Sequence, residues 1–222
     1  MKLSHYDFET EFTLSSDKVN VLVIEDEEKF YSYCSELKSQ ISLGEGGFCL
    51  FEDEKSLSFA KCAYVIDNYF DGHLNDKKTV GKLHQTLQEE IETNFPDDCF
   101  ALKQSFQIVF DKLDVIADCP IEYNDDELIG KLLKCFDVKL TENSDLLEFL
   151  LARIKTQVTF FNVKCVFFIN LKTILSSKQL SELYHELQLE EVSAFLLENT
   201  LKEKLNGEYV VVLDRDLCEF VV

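Results

Sequence analysis

The sequence predicts an α/β protein: a parallel-rich sheet flanked by helices, with an all-helical insertion. Three observations predict it. Short apolar runs lead into amphipathic helices, Val19–Ile24 into 26–39 and 164–170 into 176–188. Continuous Val/Ile/Leu/Phe runs suit strands buried on both faces, the habit of a parallel sheet covered by helices. A further run, 192–197, follows the second helix at once, so 164–197 has the βαβ order of two adjacent parallel strands with a right-handed crossover. Between 77 and 161 the periodicity becomes that of long helices.

Taken in order, residues 6–14 alternate as a strand and Val19–Ile24 forms a second. Asp26 is placed to cap the helix carrying Phe30, Tyr33, Cys34 and Leu37. A glycine-rich loop, 42–47, precedes short strands at Phe48–Glu52 and 61–67. In 77–94, Val80, Leu83, Leu87 and Ile91 form one stripe. After Pro96, residues 97–117 carry Leu102, Phe106, Val109, Phe110, Leu113 and Ile116 on one face, and Pro120 ends that helix. A third helix, 125–136, shows Leu128, Leu132 and Phe136, and a fourth, 145–161, is apolar over much of its circumference. The box Ser176-x-x-Gln179 opens the helix inside the βαβ unit, and 209–213 and 218–222 close the chain as late strands. The expected division is an α/β head of residues 1–75 and 162–222 and a helical leg of 76–161.

At 222 residues and 46% hydrophobic, the chain has material for one large core or two small ones. No apolar run approaches the roughly 20 residues of a membrane span, and the N-terminus lacks an apolar signal core, so a cytoplasmic protein without membrane contact is expected. Eight cysteines stand singly without a CxxC pair, mostly in apolar periodic segments, and read as reduced, buried thiols. The net charge of −20 opposes nucleic acid at long range. Positive charge is nonetheless clustered: Lys77, Lys78 and Lys82; Lys131, Lys134 and Lys139; Arg153 and Lys155.

Parallel sheets place ligands at the carboxyl ends of their strands. Those ends read Glu25-Asp26, Asn170-Leu171-Lys172 and Glu198-Asn199-Thr200, and none is a phosphate loop. The run Gly44-Glu45-Gly46-Gly47 lacks the spacing and the lysine of a phosphate cradle and reads as a turn. The four histidines are dispersed, and no GxSxG, HExxH or DxDxDG motif is present, so a non-enzyme is expected. The acidic stretch 118–127 at a helix break holds enough oxygens to interest a hard cation; equally, Asn124 or Asp125 would simply cap the next helix. The lysine pairs, on helices with an apolar opposite face, read either as solvated surface or as phosphate contacts made when copies assemble.

The segments VNVLVIEDEEKFYSYC, KCVFFINLKTILSSKQLSELYHEL and VSAFLLEN together resemble the type II-A CRISPR adaptation proteins of the Csn family, most closely over 19–37 and 164–199. The resemblance implies a degenerate P-loop ATPase-like head without a Walker motif and a helical leg. It implies a homotetrameric ring that binds double-stranded DNA ends without sequence preference, supported by Ca2+. It also implies work beside the RNA-guided effector nuclease and the other CRISPR adaptation proteins in spacer acquisition, with no catalysis of its own. On that basis Glu122, Asp125, Asp126 and Asp118 become the candidate calcium ligands, and Lys77, Lys78, Lys131, Lys134 and Lys155 the candidate DNA contacts. Two other classes compete: an acidic protein-interaction scaffold without direct nucleic-acid binding, and a carboxylate enzyme using Mg2+ or Mn2+.

Overall fold

The computed structural model describes residues 1–53, 55–70, 73–119, 121–142 and 145–222, with Asp114 as backbone. Two compact units emerge, residues 1–72 with 143–222, and residues 73–142.

The first unit begins with β1 (Lys2–His5), β2 (Phe12–Thr13), β3 (Val19–Ile24), α1 (Glu27–Leu43), β4 (Phe48–Glu52), β5 (Lys55–Ser56), α2 (Phe59–Cys62) and β6 (Ala63–Ile66). The helical unit then supplies α3 (Lys77–Asn94), α4 (Pro96–Phe110), α5 (Leu113–Ala117) and α6 (Leu128–Cys135). The chain returns to the first unit with α7 (Leu146–Phe161), β7 (Cys165–Ile169), α8 (Leu171–Ile174), α9 (Ser177–Leu189), β8 (Ser193–Glu198), β9 (Glu208–Leu213) and β10 (Glu219–Val221).

The main sheet runs β10-β9-β3-β8-β7-β6, and only β10 is antiparallel to its neighbour. Successive side chains of β3 point to opposite faces. Val21 and Val23 therefore join a core with Leu150, Ile154, Leu183 and Leu187 of α7 and α9. Leu22 and Ile24 face Tyr33 and Leu37 of α1 and the apolar side of a second, antiparallel sheet ordered β2-β1-β4-β5. The central strands are buried along their whole length, which is why they read as continuous apolar runs.

Several expected boundaries shift. The strand expected over 6–14 is confined to Phe12–Thr13, because Phe8 N–H bonds back to the His5 carbonyl and turns the chain. The helix expected over 97–117 breaks after Phe110 into α4 and α5; Pro120, taken as its end, lies outside the described residues. The helix expected from 125 starts at Leu128, preceded by Glu127 in a left-handed conformation (φ 54°). Helix α7, assigned from sequence to the leg, instead packs in the first unit, where Leu147, Leu150 and Ile154 are core residues. Its extended apolar surface is the cause: a helix apolar on most sides needs a sheet to cover it. Four of the eight thiols, Cys49, Cys119, Cys135 and Cys218, are exposed rather than buried.

Candidate nucleic-acid interface

In the helical unit, α3 and α6 pack against each other. Asn75 exchanges hydrogen bonds with the Leu140 backbone at 2.9 Å, and the His84 imidazole Nε2 meets the Val138 carbonyl at 2.8 Å. Thr79, Leu83 and His84 are buried on the packed side. Lys77 and Lys78 are exposed in the first turn of α3, and Lys131 and Lys134 are exposed on α6. Lys131 is committed locally: its ammonium donates to the Asn124 carbonyl at 3.0 Å. Lys155 belongs to the other unit. It lies on α7, in the first unit, and pairs with Glu190 at 3.2 Å.

Among the described residues, the acidic break gathers no group of carboxylates within one chain. Asp118 takes a left-handed conformation at the end of α5, and Glu122 and Asp126 are exposed. Asn124 Oδ1 accepts from the Asp126 N–H at 2.7 Å, an Asx turn, and the Lys131 ammonium already occupies oxygens of Asn124. Among the described residues, no three His, Cys, Asp or Glu side chains gather as a metal-binding group. Asp118, Glu122, Asp125 and Asp126 therefore do not fit calcium, which takes six to eight oxygens, unless other chains add ligands. Neither Asn124 nor Asp125 is the cap residue of α6; Glu127 holds that position, without a side-chain cap bond.

At the carboxyl ends of the parallel strands, carboxylates stand where an α/β nucleotide site would need donors. Asp26 caps α1 by accepting from the Lys29 N–H at 2.8 Å, and Glu27 and Glu28 fill the first turn. A helix N-terminus so capped and ringed with negative charge repels phosphate. Gly44 serves as the left-handed cap of α1, so the glycine-rich run is a helix stop. Asp26→Ala is expected to cost about 1 kcal/mol of stability and to confer no ATP affinity, measurable by urea unfolding and calorimetric titration.

Sequence reasoning missed a buried polar group in the first unit. Lys172, after β7, pairs with Glu208 at 2.8 Å and donates to the Glu203 carbonyl at 2.7 Å. The Tyr184 hydroxyl donates to the other Glu208 oxygen at 2.8 Å, and Leu205 N–H adds a further bond of 2.8 Å. Glu198, at the end of β8, accepts from the Lys172 N–H at 2.9 Å, while its second oxygen is buried without a partner. Burial pushes the Glu198 carboxyl up to about 7, against the pull of the Lys172 N–H and ammonium. The signal was present: Glu198 and Glu208 each abut an apolar strand run, where a charge is costly unless paired.

The family model described as CRISPR-associated protein (Cas_Csn2) matches residues 40–217. The chain belongs to the Csn2 family. No curated protein matches this Csn2 chain significantly in sequence. Among solved structures it is similar to Stu0660 of Streptococcus thermophilus, at 12% identity and a TM-score of 0.55, covering 96% of this chain and 75% of that one. At that identity the likeness speaks to the α/β fold alone. It is also similar to a putative ABC transporter ATP-binding protein from Pyrococcus furiosus, at 8% identity and a TM-score of 0.40, covering 95% and 97%, a likeness too loose to say anything of ATP. Among the described residues, no helix is long and apolar enough to cross a membrane.

Proposed function

We propose that this CRISPR-associated chain acts in spacer acquisition, without catalysis of its own, as a ring-shaped homotetramer that binds double-stranded DNA ends irrespective of sequence. The observation that carries the reading is the segregation of charge in the helical unit. Within a chain of net charge −20, residues 77–88 hold three lysines and no acid, and 128–135 hold two lysines and no acid. A local positive field survives distant acids because salt screens charge over about 8 Å. Contacts of this kind go to phosphates, so binding is strongly salt-dependent and blind to sequence.

Assembly is supported by an uncovered apolar surface. On α4 and α5, Phe100, Ile108, Val109, Val115 and Ile116 are all more than half exposed, Val109 and Ile116 belonging to the apolar face the sequence predicts. A monomer rarely leaves so much apolar surface in water, and a further copy would cover it. Calcium enters this reading only as an ion shared between chains, and DNA contact is not routed through it.

The test is a gel shift comparing a linear duplex with a covalently closed circle of the same sequence, each with Ca2+ or with chelator. Retention of the linear form alone is the expected result and indicates threading over ends. Loss of that retention with chelator would support the shared ion. Equal retention of both forms would remove the ring, and retention of neither would favour an acidic protein-interaction scaffold.

A further inference from the structure

Helix α3 contains three choices that each work against the helix. Gly81 sits inside the helix, where glycine costs roughly 1 kcal/mol relative to alanine. Packing does not explain it: a Cβ built on Gly81 would meet nothing within 4 Å. Gly130 of α6 shows the contrast, since a Cβ there would lie 2.4 Å from Gln88 Oε1. Lys77 and Lys78, one turn before Gly81, carry positive charge at the positive end of the helix dipole, while Glu89, Glu90 and Glu92 lie toward its negative end. That order opposes the dipole at both ends.

The helical period fixes how these residues are arranged. Residues three and four apart share a face, so Lys77, Lys78, His84 and Gln85 surround Gly81, and Lys82 borders it. The Lys82 ammonium reaches Gln85 Oε1 at 3.3 Å along the same side. Thr79 and Leu83 are buried on the other side, and His84, beside Gly81, is buried with its Nε2 at 2.8 Å from the Val138 carbonyl. Asp76, the cap residue of α3, accepts from the Lys78 and Thr79 N–H groups and the Thr79 hydroxyl. The result is an open patch of helix backbone at Gly81, rimmed by lysines toward the start of the helix and by His84 and Gln85 toward its end.

Resting on the DNA reading above, we infer that the Gly81 face of α3 is a close-approach seat for the sugar–phosphate backbone of double-stranded DNA. The missing side chain lets the strand settle against the helix while Lys77, Lys78 and Lys82 bind flanking phosphates. Glycine recurs where a ligand must come close to backbone, and lysine supplies the sequence-independent charge.

The experiment compares the full chain with its Gly81→Ala, Gly81→Leu and Lys82→Ala variants by thermal unfolding and by anisotropy of a labelled linear duplex across a salt series. Gly81→Ala is expected to raise the melting temperature yet weaken DNA binding about tenfold, with Gly81→Leu weaker still. Its salt slope should match the wild type, because no charge changes, whereas Lys82→Ala should lower the slope by about one. A stabilised Gly81→Ala that binds as tightly as wild type overturns the seat and leaves the DNA reading standing. A Gly81→Ala that melts lower overturns it as well, by giving the glycine a structural reason. Absence of binding by the wild-type chain overturns both.

Discussion

Lys172→Met is expected to lower the unfolding free energy by about 3–5 kcal/mol. The Lys172 side chain is 4% exposed and its partner Glu208 is fully buried. Removing the ammonium leaves a carboxylate in the interior with only the Tyr184 hydroxyl and the Leu205 N–H to replace water. Removing one partner of a buried pair is far worse than removing both. Lys172→Met with Glu208→Gln should therefore recover much of the loss in urea unfolding. Equal or additive damage in the double variant would mean that the two groups are not coupled. The same bonds tie Glu203 and Leu205, in the connection between β8 and β9, to the sheet. Proteolytic nicking of that connection should accelerate in Lys172→Met before global unfolding does.

The second large effect depends on pH. Glu198 is 1% exposed, and one carboxylate oxygen has no partner. Its carboxyl titrates at about 7 in the folded chain, above the ordinary glutamate value of about 4.3. The folded state therefore holds this proton more tightly than the unfolded state. The stabilisation is full below about pH 4.3 and is lost as pH rises through about 7. Glu198→Gln keeps an oxygen for the Lys172 N–H and removes the titration. Its advantage over wild type should be small near pH 4.5 and grow to about 3 kcal/mol by pH 8. Parallel stability curves for the two proteins across that range would refute the assignment.

The two ends of the fold differed in how legible they were. Val19–Ile24, the βαβ unit after 164 and the Ser176–Gln179 capping box were readable because burial on both faces, helical period and cap chemistry are local properties. The home of α7 was not, since an apolar helix records that it needs cover but not which surface provides it. The lysines at 77, 78, 131 and 134 were readable as clusters, whereas the commitment of Lys155 to Glu190 depends on α7 and α9 being neighbours. The acids at 118, 122, 125 and 126 were close in sequence, yet a left-handed turn at Asp118 and an Asx turn at Asn124 use the backbone in ways that composition does not reveal. The Lys172–Glu208 pair spans 36 residues, beyond any local period.

The order of the main sheet has a consequence for how the chain is made. Strand β3, near the start, lies between β8 and β9: Asn20 is level with Phe195, and Val19 with Glu208. By the time a ribosome has extruded residue 142, the helical unit has every residue of its own contacts, while β3 still lacks both parallel neighbours. Pairings so distant in sequence form slowly and leave apolar strands uncovered until they close. Translation thus gives the helical unit a head start, and the first unit can complete its sheet only after its last-made strands arrive.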